Sequence, residues 1–234
     1  MAIMTTKAKT MNQDLALARL LHLSSVSLPV GGFAFSQGLE YAVEAGWLKT
    51  LDDVEQWLGL QLRENLARVD LPILREVMLA TQAQDWVRFT FLNDLALASR
   101  ESKELRLTDT AMGEALFRLL KSLQFDLAFA EKQQEEVSFV CLFAYAAATW
   151  EIPARLAATG LSWSWLENQV AAATKLVPLG QTQAQQLLVR FQGLLPDILD
   201  LANTIDSDAI GGGLPALAIA SALHETQYTR LFRS

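Results

Sequence analysis

Residues 137–150 read VSFVCLFAYAAATW and form one of the longest runs of this chain without a charged residue. Apolar residues fall on nearly every side of a helix drawn through the run, which is typical of a helix buried inside a bundle. Its alanines allow neighbouring helices to approach closely. The run is shorter than the roughly 18–20 residues that cross a bilayer. We therefore predict that it forms the central helix of a helical bundle.

Helical periodicity continues on both sides of this run, and capping or breaker residues mark the predicted helix ends. Thr50 and Asp53 begin one helix with a pair that resembles a capping box. Pro153 is expected to start a short helix that Gly160 ends, with a separate helix after it. Pro196 predicts a kink or a break in a later helix.

These patterns predict an all-α protein, built as a single-domain helical bundle of about ten helices. Strand-like alternation with hairpin turns is absent from the sequence. We divide the chain into a flexible N-terminal arm (residues 1–10), an all-helical domain (residues 11–223) and a C-terminal tail (residues 224–234).

The composition excludes several classes of protein. Hydrophobic residues make up 51% of the chain and charged residues 19%, so disorder is not expected, and the protein is expected to bury extra apolar surface against itself or against a partner. The net charge of −7 argues against nucleic-acid binding, which needs clustered Lys and Arg. The N-terminus lacks the apolar core of a signal peptide, so the sequence predicts a soluble, cytoplasmic protein that does not bind membranes.

Residues 27–46, SLPVGGFAFSQGLEYAVEAG, carry the densest turn signals of the first half. Gly31 and Gly32 permit backbone angles closed to other residues. Ser36 is placed to cap a short helix, and Gly46 lies where that helix is expected to end. On spacing alone, this is a glycine-bearing corner between two helices.

Catalytic and metal-binding patterns are missing from the sequence. The two histidines, His22 and His224, are far apart, and the one cysteine, Cys141, lies in an apolar run. No phosphate-binding loop, dinucleotide fingerprint or nucleophile elbow is present. The glycines at 211–213 could form an anion-binding nest, although a flexible breaker is the simpler interpretation. We therefore expect no enzymatic activity, no cofactor and no dedicated metal site.

The C-terminal residues 224–234, HETQYTRLFRS, combine Tyr, Arg and Phe, the residue types that dominate binding hot spots. A frayed chain end is the alternative interpretation.

Four segments together resemble the UreF family of urease accessory proteins. They are residues 27–47, 99–120 (SRESKELRLTDTAMGEALFRLL), 175–188 (KLVPLGQTQAQQLL) and 224–234. Two departures are Ala34, where Ser or Thr is common in the family, and the apolar, glycine-rich stretch at 209–220.

The resemblance implies a helical homodimer without catalysis of its own. Such a protein bridges the UreD/UreH scaffold and the GTPase UreG in a complex that delivers nickel to apo-urease. By this resemblance we assign residues of the first segment to a surface facing the dimer partner or the GTPase, namely Gly31, Gly32, Phe33, Ser36 and Glu40. In the tail we assign scaffold docking to Tyr228, Arg230, Leu231, Phe232 and Arg233, with Phe232 as the anchor. Lys175 is expected to meet the GTPase, unless it is a solvated lysine at a helix end.

Two other functions stay open at this point. A GTPase-activating protein could act through an arginine finger, for which Arg100, Arg106 and Arg230 are candidates. A membrane-surface helical protein is disfavoured by the acidic charge.

Overall fold

The structure is a computed structural model that describes the backbone of residues 2–131 and 136–233, and the side chains of residues 13–129 and 136–233. Within these residues all regular secondary structure is helical, and no strand occurs, which confirms the predicted all-α class. The helices are α1 (Ala2–Leu23), α2 (Leu39–Glu44), α3 (Leu51–Gln61), α4 (Leu71–Ala83), α5 (Trp86–Ala98), α6 (Lys103–Ser122), α7 (Phe139–Thr149), α8 (Ala154–Leu176), α9 (Gln181–Thr204) and α10 (Pro215–His224).

Helices α3 and α4 are joined without a break by a π-helical segment, Leu62–Asp70. The described chain therefore holds nine separate helical rods, close to the predicted number. Pro72 lies in the first turn of α4, directly after the π segment. A proline has no N–H to continue the α-helical ladder, so it is accommodated best where the hydrogen-bond register changes. None of the helices that the structure describes is both long and apolar enough to cross a membrane.

Helix α7 occupies the centre of the bundle, as its apolar pattern predicts. All residues from Phe139 to Ala148 are buried. The helix makes its most extensive contacts with α4 and α6, and it also packs against α5 and α8. Since neighbours surround it, no polar face is needed.

The local capping signals were partly right. The Thr50 hydroxyl accepts a hydrogen bond from the Asp53 N–H at 3.2 Å, and the Asp53 carboxylate accepts one from the Thr50 N–H at 2.8 Å, which confirms the capping box. Gly46 adopts φ +74° directly after α2. Ser36, however, does not cap α2: the N-cap is Gly38, and the buried Ser36 hydroxyl has no hydrogen-bond partner among the described residues.

One predicted helix end is wrong, and one predicted helix break does not occur. Gly160 lies inside the continuous helix α8 because α1 crosses there: a Cβ atom on Gly160 would stand 2.4 Å from Ser24 Oγ and 2.5 Å from Leu20 Cδ1. Helix α9 runs through Pro196 without a break, and the alternative prediction of a kink there stays a prediction. At the N-terminus, backbone 2–10 continues α1 over residues that we expected to form an arm. That this arm is flexible stays a prediction.

Candidate docking surface

Three segments that are distant in sequence meet at one surface, which we call the tail–loop surface. It comprises residues 31–34, Lys175 and residues 228–233. The Arg233 N–H donates a hydrogen bond to the Ala34 carbonyl at 2.8 Å, which joins the tail to the loop. The Lys175 Nζ lies 5.2 Å from the centroid of the Phe232 ring, which joins the tail to the end of α8. The structure therefore brings together most of the residues that the sequence assigned to partner binding.

Glu40 holds the tail against the body of the protein. Its side chain is buried in the first turn of α2. One carboxylate oxygen accepts a hydrogen bond from the Leu231 N–H at 2.5 Å, and the other accepts one from the Phe232 N–H at 2.9 Å. Glu40 therefore fixes the backbone of the tail from a buried position, and its assignment to a surface facing the dimer partner or the GTPase stays a prediction.

His224 connects the tail to a second carboxylate. The ring is fully buried, with Nδ1 at 2.7 Å from a Glu104 oxygen and Nε2 at 3.0 Å from a Glu40 oxygen. Burial alone would lower the pKa of His224, but the hydrogen bonds to Glu104 and Glu40 outweigh it, so the pKa is raised above its ordinary 6.5. This cluster joins the first, second and fourth of the segments that carry the family resemblance.

The start of α6 is linked to the end of α10 around this histidine. The Ser102 hydroxyl caps α6 by accepting a hydrogen bond from the Leu105 N–H at 3.0 Å, and it also bonds the Ser221 hydroxyl. The Glu225 carboxylate accepts a hydrogen bond from the Glu104 N–H at 3.2 Å. The position of Glu104 is therefore set by residues on both sides of His224.

Phe232 does not lie on the outside of this surface. It is 5% exposed and belongs to the protein's own hydrophobic core, whereas Tyr228 is fully exposed. Phe33 and Leu231 are also exposed, at 65% and 63%. In this conformation the apolar side chains that a partner could cover are Phe33, Tyr228 and Leu231. Phe232 instead fastens the tail to the domain. The last tail residue, Ser234, lies outside the described residues.

The loop that faces the tail depends on its glycines. Gly31 has φ +76°, a conformation that side chains other than glycine rarely adopt. A Cβ atom on Gly32 would stand 3.0 Å from the Asn168 side-chain nitrogen of α8. Gly31 therefore permits the turn of the loop, and Gly32 lets the loop lie close to α8, while Phe33 is exposed.

A cavity of about 110 Å³ lies behind this loop, between the π segment, α6 and α8. Its lining includes Gly32, Asn65, Arg100, Asn168 and Gly212. The glycine triplet lies beside the chain's own groups: the Gly211 N–H donates a hydrogen bond to the Arg68 carbonyl at 3.2 Å, and the Leu214 N–H that follows the triplet donates one to the Glu101 carboxylate at 3.1 Å. Within the described part of the chain, no three His, Cys, Asp or Glu side chains converge as metal ligands.

The arginine-finger candidates differ in their accessibility. Arg100 is largely buried, with 15% of its side chain exposed, and it pairs with Asp70 at 2.8 Å and Asp109 at 2.9 Å, so it is not free to enter a partner's active site in this conformation. Burial would lower the pKa of Arg100, but these two carboxylates raise it. Arg106 pairs with Glu136 at 3.0 Å on the surface. Arg230 is exposed on the tail.

Sequence comparisons agree with the resemblance and extend it to almost the whole chain. The family model named UreF matches residues 48–192. The chain is 59% identical to the urease accessory protein UreF of Marinomonas sp. (strain MWYL1), over 98% of this chain and 99% of the relative. It is 50% identical to that of Pseudomonas putida (strain GB-1), over 96% of this chain and the full length of the relative. It is 45% identical to that of Alkalilimnicola ehrlichii, over 95% of this chain and 98% of the relative. This chain therefore belongs to the UreF family of urease accessory proteins.

Proposed function

We propose that this protein is a cytoplasmic, non-catalytic adaptor of urease maturation. As a homodimer, it would bridge the UreD/UreH scaffold and the GTPase UreG in the complex that delivers nickel to apo-urease. The observation that carries this proposal is the tail–loop surface, where parts of three of the four family segments meet and present exposed apolar and basic side chains.

The composition of the patch supports docking of a partner. Phe33, Tyr228 and Leu231 supply exposed apolar area, and Arg230 supplies a planar donor for carboxylates. The tail backbone is already fixed by Glu40, so binding of a partner would cause little further loss of conformational entropy in the tail. A preorganised patch of this kind suits the scaffold, to which the family resemblance assigns the tail.

Lys175 extends the patch toward a different partner. It is exposed at the end of α8, and its ammonium group stacks on the ring of Phe232. We assign it to recruitment of UreG, whose surface would then present a carboxylate or phosphate group. Lys175→Ala should weaken UreG recruitment without unfolding the protein, and unchanged recruitment in a pull-down would exclude this role.

Co-purification with UreD/UreH tests the docking proposal directly. The double variant Tyr228→Ala/Leu231→Ala removes two exposed side chains that do not support the fold. Val87→Ala, which is 82% exposed on α5, is the matched control. The double variant should lose the scaffold and the control should keep it. Equal retention of the scaffold by both variants would contradict the proposal.

GTPase activation through Arg230 is the second candidate, because this is the one of the three arginine candidates that is exposed and for which the described residues show no ion pair. An arginine finger must raise single-turnover GTP hydrolysis when the two proteins are mixed. An adaptor need not do so. Arg230→Lys would abolish the acceleration while retaining the charge.

A further inference from the structure

Both ring nitrogens of His224 face a carboxylate, and this geometry requires a proton beyond those of a neutral histidine. A neutral imidazole has one N–H and one lone pair. With Nδ1 at 2.7 Å from Glu104 and Nε2 at 3.0 Å from Glu40, a neutral ring between two ionised carboxylates would direct its lone pair at a carboxylate oxygen. The cluster therefore holds one additional proton, either on the ring or shared with a carboxyl group.

The charged groups around the ring do not replace this proton. Helix α10 packs against α2 and α6, which contribute Glu40 and Glu104. The neighbouring Glu225 directs its carboxylate at the Glu104 N–H. Lys175, from α8, lies over the Phe232 ring and is not paired with any of these carboxylates in the described structure. The local charge is therefore negative, and removal of the proton would leave it more so.

The same Glu40 carboxylate that faces His224 also accepts the Leu231 and Phe232 N–H groups. Any movement of Glu40 away from the ring therefore disturbs the two hydrogen bonds that fix the tail. We propose that Glu40, His224 and Glu104 form a proton-dependent clasp, which holds residues 225–233 on the domain while the proton is bound and releases them when it is lost. That the clasp regulates docking of the scaffold rests on the proposed function, but its control of the tail does not.

Amide hydrogen exchange at Leu231 and Phe232 measures the clasp in the full-length protein without a partner. Protection is followed from about pH 6 to about pH 10. Each rate is divided by that of an unstructured peptide of the tail sequence, which removes the intrinsic pH dependence of exchange. In the unmodified protein, protection should fall through a midpoint above the ordinary histidine pKa of 6.5.

Three variants separate a clasp from a merely structural contact. Glu104→Gln removes one negative charge from the ring and should move the midpoint to lower pH. His224→Gln should show weak protection with no midpoint. His22→Gln, at the other and exposed histidine, should behave as the unmodified protein. Protection that stays constant with pH in the unmodified protein, or equal midpoints in the unmodified protein and Glu104→Gln, would overturn the proposal. If His224→Gln does not fold, these two measurements still decide it.

Affinity for UreD/UreH over the same pH range then tests the link to docking. Affinity should fall with the same midpoint as tail protection. Binding that stays constant while protection falls would overturn the regulatory part and leave the clasp. Failure to bind at every pH, with the midpoint in protection present, would refute the docking function and not the clasp. Protection that stays constant with pH, together with normal binding of UreD/UreH, would refute the clasp and not the docking function.

Discussion

The carbonyl oxygen of Val137 lies against Gly113 of α6, so close that a Cβ atom on Gly113 would stand 1.9 Å from it. The contact sets the distance between α6 and the residue that leads into α7, the central helix. Because the obstacle is backbone, it cannot rotate away as a side chain could. Gly113 is therefore required for packing, although glycine is an unfavourable residue in the interior of a helix.

Gly113→Ala should destabilise the fold by about 1–3 kcal/mol, the usual cost of overpacking a well-filled interior. Gly193 of α9 is the matched control, since a Cβ atom there would meet nothing within 4 Å. Gly193→Ala should stabilise the protein by about 0.5–1 kcal/mol through helix propensity. Urea unfolding measures both. Similar effects of the two substitutions would contradict the packing role of Gly113.

Among the charged residues of the core, Asp109 should be the one whose substitution lowers the stability of the fold most. Its carboxylate pairs with Arg100 at 2.9 Å and accepts hydrogen bonds from the Ser138 hydroxyl and the Phe139 N–H, both at 2.9 Å. Asp109→Asn would leave the buried Arg100 with Asp70 alone, at a cost of about 3–5 kcal/mol. Arg118→Ala, which breaks an exposed pair with Glu114, should change stability by less than about 0.5 kcal/mol. Equal denaturant concentrations at the unfolding midpoints of Asp109→Asn and Arg118→Ala would refute the importance of Asp109 for stability.

Local signals in the sequence were sufficient for the fold class. The all-round apolar pattern of α7 and the Thr50–Asp53 capping box involve residues close in sequence, and both are present. Gly160 shows the limit of such signals. A glycine can end a helix or can let another helix approach closely, and the two roles look identical in the sequence. Only the crossing of α1 over α8 distinguishes them.

The candidate site was predictable as a set of segments but not as an arrangement. The family resemblance identified the loop, Lys175 and the tail. It did not predict that Phe232 packs inward, because the exposure of a side chain depends on where the tail lies. The role of His224 was missed, since its two partners lie 120 and 184 residues away along the chain. A histidine that begins a segment shared with a family was the one signal that could have indicated it.

Phe232 and Tyr228 should separate attachment of the tail from docking. Phe232→Ala removes a buried ring at the chain end, so we expect release of the tail rather than an empty cavity. Its cost should therefore fall below the about 3–5 kcal/mol of a Phe→Ala change in a closed core. Tyr228→Ala removes a fully exposed ring and should leave stability unchanged within about 0.5 kcal/mol.

Amide exchange in residues 225–233 distinguishes the two variants. Phe232→Ala should accelerate exchange throughout the tail, whereas Tyr228→Ala should leave it as in the unmodified protein. Scaffold binding should weaken in both variants. In Phe232→Ala the tail is no longer fixed on the domain, and in Tyr228→Ala an exposed contact side chain is lost. A tail that exchanges equally slowly in both variants would show that Phe232 does not fasten it.

His224 should make stability depend on pH in a defined direction. Its pKa is raised in the folded protein above the ordinary 6.5, so the folded chain binds this proton more tightly than the unfolded chain. The stabilisation is therefore complete below about pH 6.5 and is lost as the pH rises through the folded pKa. His224→Gln has no such proton. The free energy of unfolding of the unmodified protein minus that of His224→Gln should be largest at low pH and shrink as the pH rises, by no more than about 1.4 kcal/mol per pH unit for one proton. Urea unfolding of the unmodified protein and of His224→Gln at a series of pH values gives this difference. A difference for His224→Gln that grows with pH would mean that burial of the ring outweighs its two carboxylates.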